Sequence, residues 1–137
     1  MRRWSLGSVP RRRRCDVVIR SLGSNVRVFL ARVVVPGSRV VVEGRGGLLL
    51  VQGQLVVDAS AVGGCFVDVF VRVNGVDDLT SRTRWSLDTA ALVVVSLLRA
   101  VVVPDGAVIE VAVENTFGSG FMQLLSVGSQ IVYSGVV

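Results

Sequence analysis

The chain has 137 residues, 51% of them hydrophobic, with a formal net charge of +5 and no histidine. That length is typical of one domain with one core. All 15 basic residues are arginine, so the usual general base, metal ligand and Schiff-base amine are missing. Serine, threonine and cysteine are left with nothing to activate them, and neither an enzyme nor a cofactor or metal site is expected.

The chain opens with a basic segment over residues 1–14 that contains Arg2, Arg3, Trp4 and, within VPRRRRCD, Arg11, Arg12, Arg13 and Arg14. Residues 1–20 hold seven arginines against one acid, a net of +6, whereas residues 21–137 hold eight against nine, a net of −1. The basic character therefore belongs to an N-terminal arm, and the body is nearly neutral. No apolar stretch follows Arg2 and Arg3, so a secretory signal is not expected. Pro10 keeps Val9 extended, and Trp4 is suited to stacking on bases or filling a pocket on a protein partner.

From residue 15 the pattern is strand after strand, rich in valine, whose branched Cβ suits a pleated surface better than a helix. Strands are expected near 15–20, 26–35, 39–43, 47–57, 65–74, 82–87, 90–103, 107–114, 121–126 and 130–134. The longest apolar tract, Ala90 to Val103, is broken by Arg99. Nothing approaches the roughly 20 residues that a membrane-spanning helix needs, and a soluble protein is expected. In CFVDVFVRVNG, Val67, Val69, Val71 and Val73 share one face, and Asp68, Phe70 and Arg72 the other. In AVIEVAVEN, Ile109, Val111 and Val113 point inward and Glu110 and Glu114 toward water.

Asn74-Gly75 and Pro104-Asp105-Gly106 are the clearest turns. The stretches VVVPGSRVVVE at 33–43 and VVVPDGAVIEV at 101–111 look alike, as a trace of duplication or by chance. Gly44-Arg45-Gly46-Gly47 and Gly63-Gly64 read as loop tips, with neither the lysine nor the helix of a phosphate-binding loop. Asp77-Asp78 read as loop solvation rather than calcium ligands. Trp85 is a core or interface residue, and Cys15 and Cys65 are small buried hydrophobes or a bonded pair. The expected fold is an all-β antiparallel sandwich over residues 15–137, with about eight to ten strands and an extended basic arm.

The stretch from Cys65 to Val113 passes from an alternating strand through Val73-Asn74-Gly75 and a polar loop to TRWSLDTAALVVVSLLRAVVV, and then to PDGAVIEVAVEN. This order resembles the later half of the TNF/C1q-like jelly roll, although Asp105 precedes Gly106 where that family has Gly-Asp. FMQLLSVGSQIVYSGVV is similar to its closing strands. The resemblance implies a structural role for Asn74, Gly75, Pro104, Asp105 and Gly106 and supplies no active site. Domains of this kind are similar to capsid decoration (cement) proteins of tailed bacteriophages, which implies a homotrimer on the capsid surface of a virion. The major capsid protein would be its partner, and the arm residues Arg2, Arg3, Trp4 and Arg11 to Arg14 would clamp neighbouring subunits. The alternatives are a coat protein whose arm binds packaged nucleic acid, the second choice of partner, and a receptor-binding fibre head. No membrane is implied.

Overall fold

The computed structural model describes residues 8–10, 16–21, 26–28, 32–58, 65–87, 92–115 and 122–136. Its strands are β1 (Ser8–Pro10), β2 (Asp16–Ser21), β3 (Val26–Val28), β4 (Arg32–Val34), β5 (Val40–Glu43), β6 (Gly47–Asp58), β7 (Cys65–Val73), β8 (Val76–Asp77), β9 (Thr83–Leu87), β10 (Leu92–Val103), β11 (Val108–Asn115) and β12 (Met122–Val136). A single 3₁₀ turn, Leu79–Ser81, is the one helical element among the described residues.

The strands form two sheets. Sheet A has the order β1-β5-β11-β7, with β4 continuing the line of β5 along β11 and β8 and β9 lying along the far side of β7. Sheet B runs β10-β6-β12-β2, with β3 pairing β12. Every pairing is antiparallel except that of β1 with β5. From β5 to β12 the chain crosses repeatedly between the sheets, which is the connectivity of an antiparallel jelly-roll sandwich.

The alternation read from the sequence sets the core. Val67, Val69 and Val71 of β7, Ile109, Val111 and Val113 of β11, and Leu49, Val51, Leu55 and Val57 of β6 all face the layer between the sheets and are buried. Tyr133 of β12 also enters this layer, and its hydroxyl donates to the backbone carbonyl of Ser38.

Three departures from the sequence reading have local causes. The expected strand 26–35 is two strands, because β3 pairs with β12 in sheet B and β4 with β11 in sheet A. The expected strands 121–126 and 130–134 are one, β12, whose register shifts between Leu125 and Gln130. Gly128 takes φ +81° there, and Ser129 Oγ accepts from Val56 N at 2.7 Å, so a side chain replaces a ladder bond at the bulge. Finally, the look-alike stretches 33–43 and 101–111 do different jobs. The first stays beside β11, its kink bridged by Ser38 Oγ accepting from Val111 N at 3.2 Å. The second passes from β10 in sheet B to β11 in sheet A.

The Gly44–Gly47 connection is packed rather than free. Gly106 N donates to Gly44 O at 2.9 Å, and Gly46 N donates to Asp105 Oδ1 at 2.6 Å. A Cβ on Gly46 would lie 1.9 Å from the Val103 carbonyl oxygen. Gly46→Ala is therefore expected to destabilise the fold by about 2 kcal/mol or more, read as a lower midpoint in urea unfolding with an unchanged slope.

Candidate interaction surfaces

Arg2, Arg3, Trp4 and Arg11 to Arg14 lie outside the described residues, as do Cys15 and the side chain of Cys65. Between the two groups of arginines, Ser8–Pro10 form β1 and pair in parallel with Val41–Glu43 at the edge of sheet A. Asp16 then opens β2 opposite Gly135 of β12, at the edge of sheet B.

The turn residues named from the sequence are placed in turns. Asn74 (φ +52°) and Gly75 (φ +79°) form the two-residue hairpin between β7 and β8, a conformation that asparagine and glycine adopt most cheaply. Asn74 Oδ1 also accepts from Val108 N at 2.9 Å, tying the hairpin to the start of β11. Gly106 (φ +66°) closes the Pro104-Asp105-Gly106 turn, with Ala107 N donating to Pro104 O at 3.2 Å.

The outer face of sheet A carries an ion-pair lattice that sequence reasoning did not assemble. Arg32 on β4, Glu114 on β11, Asp68 on β7 and Arg84 on β9 fall in one cross-strand row. Two carboxylates oppose each other at its centre, which is repulsive by itself. Arg82 resolves the conflict, with Nη1 2.7 Å from Asp68 Oδ2 and 3.2 Å from Glu114 Oε1. Arg84 grips Asp68 bidentately, Nε to Oδ1 at 2.8 Å and Nη2 to Oδ2 at 3.1 Å.

Arg32 reaches Glu114 at 3.0 Å and Asp77 at 2.8 Å, and Arg72 reaches Asp77 at 3.1 Å. Asp78 is used differently, its Oδ1 accepting from Thr80 N at 3.0 Å to cap the 3₁₀ turn. The guanidinium carbons of Arg82 and Arg32 stand 4.7 and 5.4 Å from the centre of the Phe70 ring, within range of cation–π attraction.

The consequence corrects the expected wet side of β7: Asp68 and Phe70 point away from the valine core, yet both are fully buried beneath arginines. Hydrogen bonds from Arg84, with a further contribution from Arg82, hold the Asp68 carboxyl below its ordinary value of 3.8 against the opposing effect of burial. A carboxylate with a lowered folded-state pKa stabilises the fold fully above its unfolded value and loses that contribution as pH falls through the folded one. Melting temperature should therefore drop as pH falls below 3.8, and Asp68→Asn should flatten that acid limb. At neutral pH the same substitution should lower the melting temperature by about 5 °C or more, because it replaces the carboxylate shared by Arg82 and Arg84 with one neutral acceptor and an amide NH2 that faces a guanidinium.

The outer face of sheet B is the opposite in character. On the edge strand β10, Leu92, Val94, Leu98 and Val102 are 51–80% exposed, alternating with buried Val95, Leu97, Val101 and Val103. Leu48 on β6, opposite Val102, is 45% exposed. Among the described outward positions of β10, β6 and β12, the one formal charge is Asp58, at the end of β6. Exposed apolar rows of this kind mark a contact site. At the seam between the sheets, Trp85 Nε1 of β9 donates to Ser96 O of β10 at 3.1 Å, so Trp85 links the two open edges of the sandwich.

No protein-family model and no curated protein matches the chain. Solved structures do share its fold. The infectious bursal disease virus Gx strain structure aligns with a TM-score of 0.62 at 10% identity, covering 90% of this chain and 34% of that one. The viral particle of infectious bursal disease virus aligns at 0.60 and 12% identity, covering 90% and 32%. Eiger TNF from S. frugiperda aligns at 0.56 and 14% identity, covering 91% and 94%. This chain thus spans about a third of the viral chains and nearly all of the TNF chain. At such identities the likeness defines the fold alone, and that fold is a TNF-like jelly roll.

Proposed function

We propose that this chain is a structural protein of a virus particle, without enzymatic activity, that self-associates as a homotrimer through the outer face of sheet B. The observation that carries the reading is the unequal treatment of the two outer faces. Sheet A meets its surroundings with paired charges, whereas β10, β6 and β12 of sheet B leave leucines and valines in water and carry, among their described outward positions, one formal charge, Asp58. The edge of β10 is a poor site for strand addition, because Arg99 occupies a core-side position there with Nη1 donating to Leu98 O at 2.9 Å. Inward-pointing charges on an edge strand discourage edge-to-edge pairing. Contact through the flat of the sheet is favoured over contact through its rim.

The finer reading is a decoration protein on the outside of a bacteriophage head, where Arg2, Arg3, Trp4 and Arg11 to Arg14 engage acidic surfaces of the major capsid protein. Its support is the confinement of net positive charge to residues 1–20 and the fold shared with viral particle chains. The alternative partner of these arginines is packaged nucleic acid. A fibre-head role would draw on residues 74–84, where Arg82 and Arg84 are already committed to Asp68 and leave Val76 and Leu79 as exposed apolar contacts.

Leu98→Asp, at an exposed position, should cost the folded subunit no more than about 0.5 kcal/mol yet convert the assembly to monomers in light scattering. A wild-type monomer at all concentrations would end the self-association reading. Because Ser8–Pro10 belong to sheet A, attachment is better tested by replacing Arg11 to Arg14 with glutamine than by truncation. The variant should lose co-sedimentation with empty phage heads. Unchanged co-sedimentation, together with a salt-sensitive shift of single-stranded DNA that the variant loses, would move the assignment to nucleic acid.

A further inference from the structure

Across the otherwise apolar outer face of sheet B runs a belt of uncharged amides. Gln54 on β6 lies opposite Gln130 on β12 and Ser96 on β10, and Gln52 in the next outward row lies between Leu98 and Val132. Gln52, Gln54, Gln130 and Val132 line a shallow depression. All three glutamines are exposed, and none makes a side-chain hydrogen bond among the described residues. The hydrophobic rows flank this belt on β10 and β6, with Leu98, Ala100 and Leu50 on one side and Val94 and Val56 on the other.

A rotation axis through a face brings each residue on it against its own copies. A charged group there meets a like charge in a desolvated setting, and a group that only donates or only accepts cannot pair with itself. A primary amide can, since it carries two donors and an acceptor oxygen. Polar side chains at the axis itself must have this property or remain unpaired at a cost. A partner of different composition imposes no such requirement, and no exposed aromatic platform for a sugar lies among the described residues of this face.

We infer that the symmetry axis of the assembly passes along the amide belt, where Gln52, Gln54 and Gln130 converge on and pair with the amides of the other copies of this chain. This rests on the proposed self-association through sheet B and adds where on that face the copies converge.

Gln54→Glu places like carboxylates together if the axis is there. By light scattering and sedimentation, wild type should assemble equally at about pH 5 and about pH 8. The variant should assemble at the lower pH, where glutamate at a crowded axis binds protons, and weaken by at least about tenfold at the higher. Gln130→Glu should behave alike, and Val76→Glu, on the β7–β8 hairpin, should assemble at both. Glutamate variants that assemble like wild type at about pH 8 would overturn the axis assignment while leaving self-association standing. A monomeric wild type would instead remove the reading beneath it. Circular dichroism of each variant separates lost assembly from lost folding. Gln54→His adds a gain-of-function readout, because the chain has no histidine of its own: nickel should raise the melting temperature of the assembled variant and leave wild type unmoved, and an unaffected variant counts against the axis.

Discussion

Alternate residues of a strand point to opposite sides, so filling one layer between two sheets with valine, leucine and isoleucine leaves the chain with two outer faces to settle. That constraint governs the molecule. Removing valine side chains from water drives the sheets together, but it cannot decide what happens outside them. On sheet A the answer is electrostatic, and on sheet B it is apolar. The functional proposals follow from this difference rather than from any pocket or reactive group.

On sheet A, neutrality is reached locally. Arg82 stands between Asp68 and Glu114, Arg84 holds the far side of Asp68, and Arg32 links Glu114 to Asp77 across the Phe70 ring. Isolated exposed pairs contribute little, but the acceptor at the centre, Asp68, is fully buried, so Arg82 and Arg84 satisfy a group that water cannot reach. An aromatic ring and a carboxylate become buried on a nominally solvent-facing surface without enlarging the valine core. The face that results offers paired charges, with Phe66, 37% exposed, beside the Arg84 guanidinium.

Most strands were legible in the sequence because period-two alternation and the Asn74-Gly75 and Pro104-Asp105-Gly106 turns are local signals. The split of 26–35 was not, since this stretch, apolar but for Arg27 and Arg32, contains no glycine or proline to mark where it leaves one sheet for the other. Residues 127–129 fell between two expected strands because Gly128 and Ser129 interrupt the apolar pattern, whereas the long ladder with β6 carries β12 through them as a bulge. The lattice on sheet A depends on register among β4, β7, β9 and β11. Its residues were visible singly, as Asp68, Arg72, Glu114 and the arginines of Ser81-Arg82-Thr83-Arg84, but the row that joins them exists only once the strands are paired. The exposed stripe on β10 had the opposite difficulty. Leu92 to Val103 is apolar on both sides, so composition alone could not say that half of it faces outward.

The central claim is that the outer face of sheet B is covered in solution while the β7–β8 hairpin and the 3₁₀ turn after it are not. Hydroxyl-radical footprinting of the full-length protein tests it directly, because the two regions are equally open in one subunit: Leu98 and Val102 are 57% and 80% exposed, and Val76 and Leu79 are 69% and 71% exposed. The account predicts that Leu98 and Val102 are protected while Val76 and Leu79 are oxidised freely. Equal labelling of all four would contradict it.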